Sequence, residues 1–272
     1  MRVAAVQLNS GPERGRNLAA AGRLVAAAAA DGARLVVLPE TFNCLGPPEV
    51  LRAGAEPFDG PTLAWAKEAA RGHGLWLAAG SFLERVADGP RCFNTACLLN
   101  PRGEVVAAYR KVHLFDCELP GAELRESDVM RPGGEVVTAE AAGLPLGLAI
   151  CYDLRFPELF RALAVRGARA VAFPSAFTAR TGPDHWEVLL RARAIENQAF
   201  VIAADQCGES GPGLRWHGHS MVVDAWGRVL AEVAEGEGYA AADLDLAAQE
   251  AIRERMPCLR HRRPDVYCAA GE

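Results

Sequence analysis

An eleven-residue segment occurs twice in this chain, and it constrains the fold more than any other feature. The first copy runs from Gly32 to Phe42 and the second from Gly167 to Phe177, with six of the eleven positions identical. Both copies contain a short apolar run that ends at a proline, which is typical of a buried strand. A chain that carries the same strand twice is predicted to fold as two similar halves. The copies differ where the first has Glu40 and the second has Ser175.

Strand-like and helix-like segments alternate along the chain, as they do in α/β proteins. We therefore predict the α/β class, with two similar halves that pack face to face in a single domain of residues 1–256. The first half is predicted to contain the strand Val3–Gln7, the helix Asn17–Ala30, the strand Arg34–Leu38, the helix Thr62–Arg71, the strand Leu75–Ser81 and a hairpin of Asn94–Leu99 with Glu104–Tyr109. The second half is predicted to repeat the hairpin, as Met221–Asp224 with Arg228–Glu232.

Two segments depart from this alternation. Residues 112–135 are polar, with proline or glycine at 120–121 and 132–134, and are predicted to form a long loop between the halves. Loops of this length inside a compact domain usually have a function. Residues 257–272, which contain Arg260-His261-Arg262-Arg263-Pro264, are predicted to be a C-terminal tail that contacts the body of the protein or a partner.

Composition excludes several classes of protein. A formal net charge of −5 provides no basic field for nucleic acid. No apolar stretch approaches the ~20 residues of a spanning helix, and the start MRVAAVQL lacks a signal-peptide pattern, so we expect a cytoplasmic protein that does not enter a membrane. The eight cysteines include no CxxC pair, which argues against a zinc or thioredoxin motif, and we expect no disulfides or cofactor.

Lysine is rare in this sequence. The 29 basic residues include only two lysines, Lys67 and Lys111, and the rest are arginine. Lys111 directly follows Arg110. A lysine that persists among so many arginines is either there by chance or needed for its compact ammonium group.

Three residues follow predicted strands, and one of them, Glu40, does so at a point where α/β proteins usually bind ligands. Cys151 follows an apolar run and precedes a predicted turn and helix, so nearby main-chain N–H groups could favour a thiolate. Glu40 ends the first repeated strand, and Lys111 ends a hairpin strand. Each also has an ordinary interpretation: a buried structural cysteine, an exposed or capping glutamate and a solvated lysine. Glu126, in the long loop, is on its own only a loop charge.

Six segments resemble, in order, the motifs of the nitrilase (carbon–nitrogen hydrolase) superfamily and extend over nearly the whole chain. They are LPETF (38–42), YRKVHLFD (109–116), AICYDLRFPE (149–158), FPSAF (173–177), HWEVLLRARAIENQ (185–198) and GHSMVVDAWG (218–227). The resemblance implies a triad of Glu40, Lys111 and Cys151, with Glu126 as an auxiliary carboxylate. It also implies a four-layer α-β-β-α sandwich that forms a homodimer or higher homo-oligomer through its helices, and a small-molecule amide as substrate.

The chemistry of amide hydrolysis explains why these residue types are needed. It requires a nucleophile, a base and a cation for the developing oxyanion. In the implied mechanism Cys151 attacks the carbonyl carbon, Glu40 moves the proton, and Lys111 with the main-chain N–H of Tyr152 holds the oxyanion. The product of this step is a thioester, which water hydrolyses.

Further segments narrow the resemblance within the superfamily: HLFD (113–116), ES (126–127), FPSAFTARTGPDHWEVLLRARAIENQ (173–198), QCG (206–208), GHSMVVD (218–224) and LRHRRPD (259–265). They most resemble the branch that hydrolyses deaminated glutathione to 2-oxoglutarate and cysteinylglycine. Arg155 would then hold a substrate carboxylate, and Phe177 and Thr181 would complete that end of the pocket. A structural ion pair of Arg155 with Asp153 or Glu158 is the alternative. The sequence departs from the branch at Arg215-Trp216-His217, at Asp184 and in the loop before Glu126, which is one residue short. These departures concern the shape of the pocket.

The sequence is also compatible with other functions. The same triad would serve an ω-amidase that takes 2-oxoglutaramate, an N-carbamoyl amide hydrolase or a nitrilase. A Cys-His pair could instead use His113, His185, His217 or His219 as base. We expect no metal site, because the single residue between His217 and His219 is too short a spacing and no third ligand motif lies near. A non-catalytic binding scaffold would not need Glu40, Lys111 and Cys151.

Overall fold

The computed structural model describes residues 1–119 and 122–267. Within these ranges, residues 119 and 122–124 are described by their backbone only. Its α-helices are α1 (Arg14–Ala30), α2 (Pro48–Gly54), α3 (Pro61–His73), α4 (Pro157–Val165), α5 (Gly182–Asn197), α6 (Leu246–Arg255) and α7 (Pro264–Tyr267). Two 3-10 helices span Glu126–Asp128 and Cys151–Arg155.

The strands fall into two large sheets and two small hairpins. In chain order they are β1 (Arg2–Gln7), β2 (Leu35–Val37), β3 (Trp76–Ala78), β4 (Phe82–Glu84), β5 (Phe93–Leu99), β6 (Val105–Arg110), β7 (Asp116–Leu119), β8 (Ala122–Arg125), β9 (Thr138–Ala141), β10 (Leu144–Leu148), β11 (Ala170–Ser175), β12 (Phe200–Asp205), β13 (Cys207–Glu209), β14 (Arg215–His217), β15 (Met221–Val223), β16 (Val229–Glu232) and β17 (Gly238–Asp243).

The two repeated segments form equivalent strands of the two large sheets. The seven-stranded sheet has the order β17-β1-β2-β3-β5-β4, with β6 paired to β5, and the six-stranded sheet has the order β16-β15-β12-β11-β10-β9. In each sheet the repeated strand, β2 or β11, is parallel to both of its neighbours. An antiparallel hairpin, β5–β6 or β15–β16, then extends the sheet. The two similar halves predicted from the repeat are confirmed.

Alternating side chains explain the order of the layers. In β1, Val3 and Ala5 belong to the apolar core that also contains residues of the six-stranded sheet, whereas Ala4 and Val6 pack in a second core with α1 and α3. Successive strand residues point to opposite faces, so one face of the first sheet meets the second sheet and the other meets helices. Helices α4 and α5 contribute Phe160, Trp186 and other residues to the first core. The predicted α-β-β-α sandwich is confirmed.

The structure adds two features that the sequence did not predict. Strand β17 crosses from the second half to the seven-stranded sheet, where it pairs antiparallel with β1. The predicted loop 112–135 contains the hairpin β7–β8 and the 3-10 helix Glu126–Asp128. Strands of four residues give too short a period to be distinguished from loop by sequence. Pro120 and Gly121 lie outside the described residues.

Most predicted elements of the first half agree with the structure to within a few residues. The prediction Leu75–Ser81 is longer than β3, because the chain leaves the sheet at Gly80, whose φ is +49°. The division into a domain of residues 1–256 and a tail of 257–272 stays a prediction. Helix α7 lies in this tail, and residues 268–272 are outside the described part of the chain.

Within the described residues, no helix is both long enough and apolar enough to cross a membrane. The seven cysteines within the described residues are free, and Cys268 is not among them.

Candidate active site

Glu40, Lys111 and Cys151 follow three different strands and meet at one pocket. Glu40 follows β2, Lys111 directly follows β6, and Cys151 follows β10. Glu40, Glu126 and Cys151 line a pocket that contains about 900 Å³ of empty space, part of it open to solvent. The Lys111 side chain lies beneath this surface, with none of its area exposed. The four residues that the sequence proposed for the chemistry are therefore close together.

The ammonium group of Lys111 is held between two carboxylates. Its Nζ donates to Oε1 of Glu40 at 2.9 Å and to both carboxylate oxygens of Glu126 at 2.9 Å. Burial alone would lower the pKa of Lys111, but the charges of Glu126 and Glu40 hold it well above its ordinary value. Lys111 therefore remains a cation inside the protein.

The Glu40 carboxylate is fixed at both of its oxygens. Oε1 also accepts a hydrogen bond from Nδ2 of Asn94 at 2.7 Å, and Oε2 accepts one from the main-chain N–H of Ala176 at 2.9 Å. The main-chain N–H of Glu40 donates to the carbonyl oxygen of Ser175 at 3.3 Å. Because the residue itself is only 3% exposed, these contacts leave the carboxylate little freedom to turn.

Cys151 occupies a strained backbone position at the start of a 3-10 helix. Its φ is +47°, a left-handed conformation that costs a residue with a side chain roughly 1–2 kcal/mol. Burial, followed by the charge of Glu40, raises the pKa of the Cys151 thiol well above its ordinary value, while the charge of Lys111 opposes this. The resting group is therefore a thiol at neutral pH.

Glu126 joins the 3-10 helix of the inter-half segment to Lys111. Besides the contacts with Lys111, its Oε2 accepts a hydrogen bond from the main-chain N–H of Phe115 at 2.8 Å. Burial raises the pKa of Glu126, and the charge of Glu40 adds to this while Lys111 opposes it. About one fifth of the Glu126 side chain is exposed. The carboxylate therefore restrains Lys111 from the pocket side.

The residues predicted to bind substrate line the same pocket. Arg155, Phe177 and Thr181 are all in its wall, and so is Tyr152, which was predicted to supply an oxyanion N–H. The Arg155 guanidinium lies 5.4 Å from the centre of the Phe177 ring, and its Nη1 is 3.2 Å from Nδ1 of His185. Among the described residues no ion pair joins Arg155 to Asp153 or Glu158, so the structural alternative for this arginine is not supported.

Comparison with known proteins shows the family of the chain. The family described as carbon-nitrogen hydrolase matches residues 2–254.

The chain belongs to the carbon–nitrogen hydrolase family.

It is therefore an enzyme that hydrolyses carbon–nitrogen bonds.

Individual members of the family resemble the chain over almost its whole length. The deaminated glutathione amidase of Mus musculus is 47% identical over 99% of this chain and 85% of its own. The crystal structure of Nit3 from Saccharomyces cerevisiae, a member of branch 10 of the nitrilase superfamily, has a TM-score of 0.87 at 33% identity, covering 97% of this chain and 96% of that one.

A third relative is modified at its own active-site cysteine. A variant of the amidase from Nesterenkonia sp. AN1, 29% identical with a TM-score of 0.81 and 98% of both chains covered, carries acrylamide added to its active-site cysteine.

The sequence of this carbon–nitrogen hydrolase did not predict several residues of the site. Asn94, within β5, and the N–H of Ala176, directly after β11, hold Glu40 but are distant from it in the sequence. An asparagine inside a strand is unusual, and that signal could have identified Asn94. The apolar part of the pocket wall was missed as well: Leu45, Leu51, Phe115, Met130, Leu214 and Trp216.

The histidines of this family member are absent from the pocket wall as far as the structure describes it. Within the described residues no histidine lines the pocket, which disfavours the Cys-His alternative. The rings of His217 and His219 stack at 4.5 Å, and burial lowers the pKa of His217 to about 4. The part of the chain that the structure describes contains no cluster of three or more residues suited to a metal ion.

Proposed function

We propose that the enzyme is an amidase with Cys151 as nucleophile and Glu40 and Lys111 as its partners, and that its substrate is deaminated glutathione. The observation that carries the proposal is the 2.9 Å contact between Nζ of Lys111 and Oε1 of Glu40, buried at the pocket that Cys151 lines. A base, a cation and a thiol at one point of a pocket are the groups that amide hydrolysis requires.

In the first half of the reaction, Cys151 attacks the carbonyl carbon of the amide. Glu40 takes the thiol proton as the carbon–sulfur bond forms, which the raised pKa of Cys151 makes necessary. Glu40 then passes the proton to the leaving nitrogen as the carbon–nitrogen bond breaks. The products of this half are a free amine and a thioester on Cys151.

The negative charge that develops on the carbonyl oxygen needs donors in place before the reaction begins. Lys111 supplies a buried ammonium, and the main-chain N–H of Tyr152 lies in the first turn of a 3-10 helix, where helix N–H groups lack intrahelical acceptors. Glu126 keeps the ammonium oriented through its two contacts with Nζ. Lys111 and Tyr152 would donate to the oxyanion, and Glu126 would hold Lys111 in place.

In the second half of the reaction, water hydrolyses the thioester. Glu40 takes a proton from the water as the water oxygen attacks the acyl carbon, and it returns this proton to the sulfur as the carbon–sulfur bond breaks. The contacts of Glu40 with Asn94 and Ala176 keep the carboxylate in one place for both halves. One residue can therefore act first as a base and then as an acid in each half of the reaction.

Deaminated glutathione is favoured as the substrate by the relative at 47% identity and by the residues of the pocket. The 2-oxoacid end of this substrate carries a carboxylate, and Arg155 supplies a guanidinium in the pocket wall. Phe177 lies against that guanidinium, and Thr181 lies in the same wall. Hydrolysis would give 2-oxoglutarate and cysteinylglycine.

A panel of substrates tests this assignment. The panel contains deaminated glutathione, 2-oxoglutaramate, an N-carbamoyl amino acid and a nitrile, and kcat/KM is measured for each. We expect deaminated glutathione to give the highest value. A highest value for 2-oxoglutaramate would make the enzyme an ω-amidase, and one for either of the other two compounds would replace the amidase assignment.

The role of Arg155 is tested in the same panel. Arg155→Leu should raise KM for the carboxylate-bearing substrates about tenfold to a hundredfold, because it removes a charged hydrogen-bond donor. Arg180→Leu is the matched control, since Arg180 is exposed and lies outside the pocket. An equal effect of the two substitutions would contradict the role of Arg155.

We also propose that the enzyme is a homodimer or higher homo-oligomer. Val188 and Ile195, one heptad apart on α5, are 66% and 46% exposed, and Trp226 in the neighbouring β15–β16 turn is 52% exposed. Helix α5 is tied to this turn by a hydrogen bond from Arg191 to the Gly227 carbonyl. Ile195→Glu with Trp226→Glu should lower the mass measured by light scattering to that of one chain. A cytoplasmic location stays a prediction from the sequence.

A further inference from the structure

Asp153 is a buried carboxylate that the mechanism does not use. None of the residue is exposed, and it lies two positions after Cys151 in the same 3-10 helix. A carboxylate with no access to water is costly unless several donors satisfy it, so its partners indicate what it is for.

The donors to Asp153 come from both sides of the site. Oδ2 accepts hydrogen bonds from the hydroxyl of Tyr109 at 2.7 Å and from the main-chain N–H of Ile150 at 2.8 Å. Oδ1 accepts one from the main-chain N–H of His113 at 3.1 Å and lies 2.7 Å from Nδ1 of the same residue. One carboxylate thus joins two segments that are distant in the sequence.

These two segments carry the proposed cation and the proposed nucleophile. Tyr109 and His113 flank Lys111 at two residues on either side, and Ile150 directly precedes Cys151. The backbone at Cys151 is strained, with φ at +47°, and such a conformation persists only where surrounding contacts enforce it. The bond from Ile150 to Asp153 closes this turn.

We propose that Asp153 is a positioning residue that holds the ammonium of Lys111 and the thiol of Cys151 at their working separation. The inference rests on the roles proposed above for those two residues. The Asp153 side chain both closes the strained turn and docks the segment that carries Lys111.

Tyr109 provides a second and milder way to disturb the same connection. Its side chain is fully buried, and burial with the neighbouring Asp153 charge raises the pKa of its hydroxyl well above the ordinary value. The hydroxyl therefore stays protonated and donates to Asp153. Tyr109→Phe removes this donor and keeps the ring.

The pH at which Cys151 ionises depends on the position of Lys111. The groups that act on the thiol are Glu40 after β2, Lys111 after β6, Glu126 in the 3-10 helix and Ser175 at the end of β11. Lys111 favours the thiolate and the two carboxylates oppose it. If Lys111 moves away from Cys151, the thiol should need a higher pH to ionise.

The experiment compares Asp153→Asn and Tyr109→Phe with the unmodified protein. It measures kcat, KM, Tm and the pH at which alkylation of the Cys151 peptide by iodoacetamide is half-maximal. Asp153→Asn should lower kcat about 10²-fold with little change in KM, as expected for misplaced catalytic groups, and should move the alkylation midpoint to higher pH. Tyr109→Phe should act in the same direction, but less.

Glu56→Gln is the matched control, because Glu56 is also a buried carboxylate but does not line the pocket. It should lower Tm without moving the alkylation midpoint. If Asp153→Asn does not fold, the kcat and the alkylation midpoint of Tyr109→Phe test the inference instead. A kcat within about twofold of the unmodified value and an unmoved midpoint in the folded variants would overturn the inference. Amide hydrolysis by Cys151→Ala, assayed in parallel, would instead overturn the proposed function.

Discussion

The main-chain N–H of Glu40 donates a hydrogen bond to the carbonyl oxygen of Ser175 at 3.3 Å, so the equivalent positions of the two repeated segments are in direct contact. The next residue after Ser175 donates its N–H to the Glu40 carboxylate. One of the five positions at which the repeated segments differ is therefore a place where the two halves meet. One copy supplies the carboxylate, and the other supplies main-chain groups that hold it.

Lys111→Arg should lower kcat/KM by about 10²–10³-fold, the range expected when one oxyanion donor is lost. The ammonium fits between Glu40 and Glu126 with no exposed area, and a planar guanidinium cannot direct its charge in the same way. Lys67→Arg on α3 is the matched control and should leave kcat/KM unchanged. Activity of Lys111→Arg within a few fold of the unmodified enzyme would refute the argument for an ammonium.

Glu40→Gln should separate the electrostatic effect of Glu40 from its chemistry. The Glu40 charge raises the pKa of the Cys151 thiol, so its removal should lower that pKa and move the midpoint of iodoacetamide alkylation to lower pH. Amide hydrolysis should nevertheless fall by about 10²–10⁴-fold, because the base is lost. Glu104→Gln, in the exposed β5–β6 turn, should change neither quantity. An upward shift of the midpoint in Glu40→Gln would contradict this account.

Gly80→Ala should both destabilise the protein and lower its activity. Gly80 has a φ of +49°, and a Cβ atom there would lie 2.0 Å from the Pro39 carbonyl oxygen, next to Glu40. We expect a loss of more than about 2 kcal/mol in the free energy of unfolding and a lower kcat. Gly143→Ala is the control, since its φ is +80° but nothing lies within 4 Å, and it should cost about 1 kcal/mol. Denaturant unfolding that shows equal losses would be inconsistent with this interpretation.

Much of the fold and of the site was predictable from sequence because it is encoded locally. The repeated strand predicted two similar halves, and apolar runs ending at Glu40 and before Cys151 placed both residues at strand ends. The resemblance to a family then joined them to Lys111 and Glu126. These predictions needed only short-range patterns and motif order.

Other parts of the site depend on contacts between distant segments, and no local pattern encodes them. Asn94 reaches Glu40 from the end of another strand pair, and Trp216 reaches the pocket from the short hairpin β13–β14. Strand β17 joins the first sheet although it follows the second half in sequence. The backbone strain at Cys151 was also not readable, because a cysteine carries no preference for positive φ.

The central claim is that Cys151 forms the covalent bond to the acyl group. The most direct measurement is mass spectrometry of the enzyme quenched rapidly during turnover of deaminated glutathione, followed by peptide mapping. We predict an acyl adduct on the peptide that contains Cys151 and on no other cysteine, and no adduct and no hydrolysis in folded Cys151→Ala. An adduct on a different residue, or full amide hydrolysis by Cys151→Ala, would contradict the account.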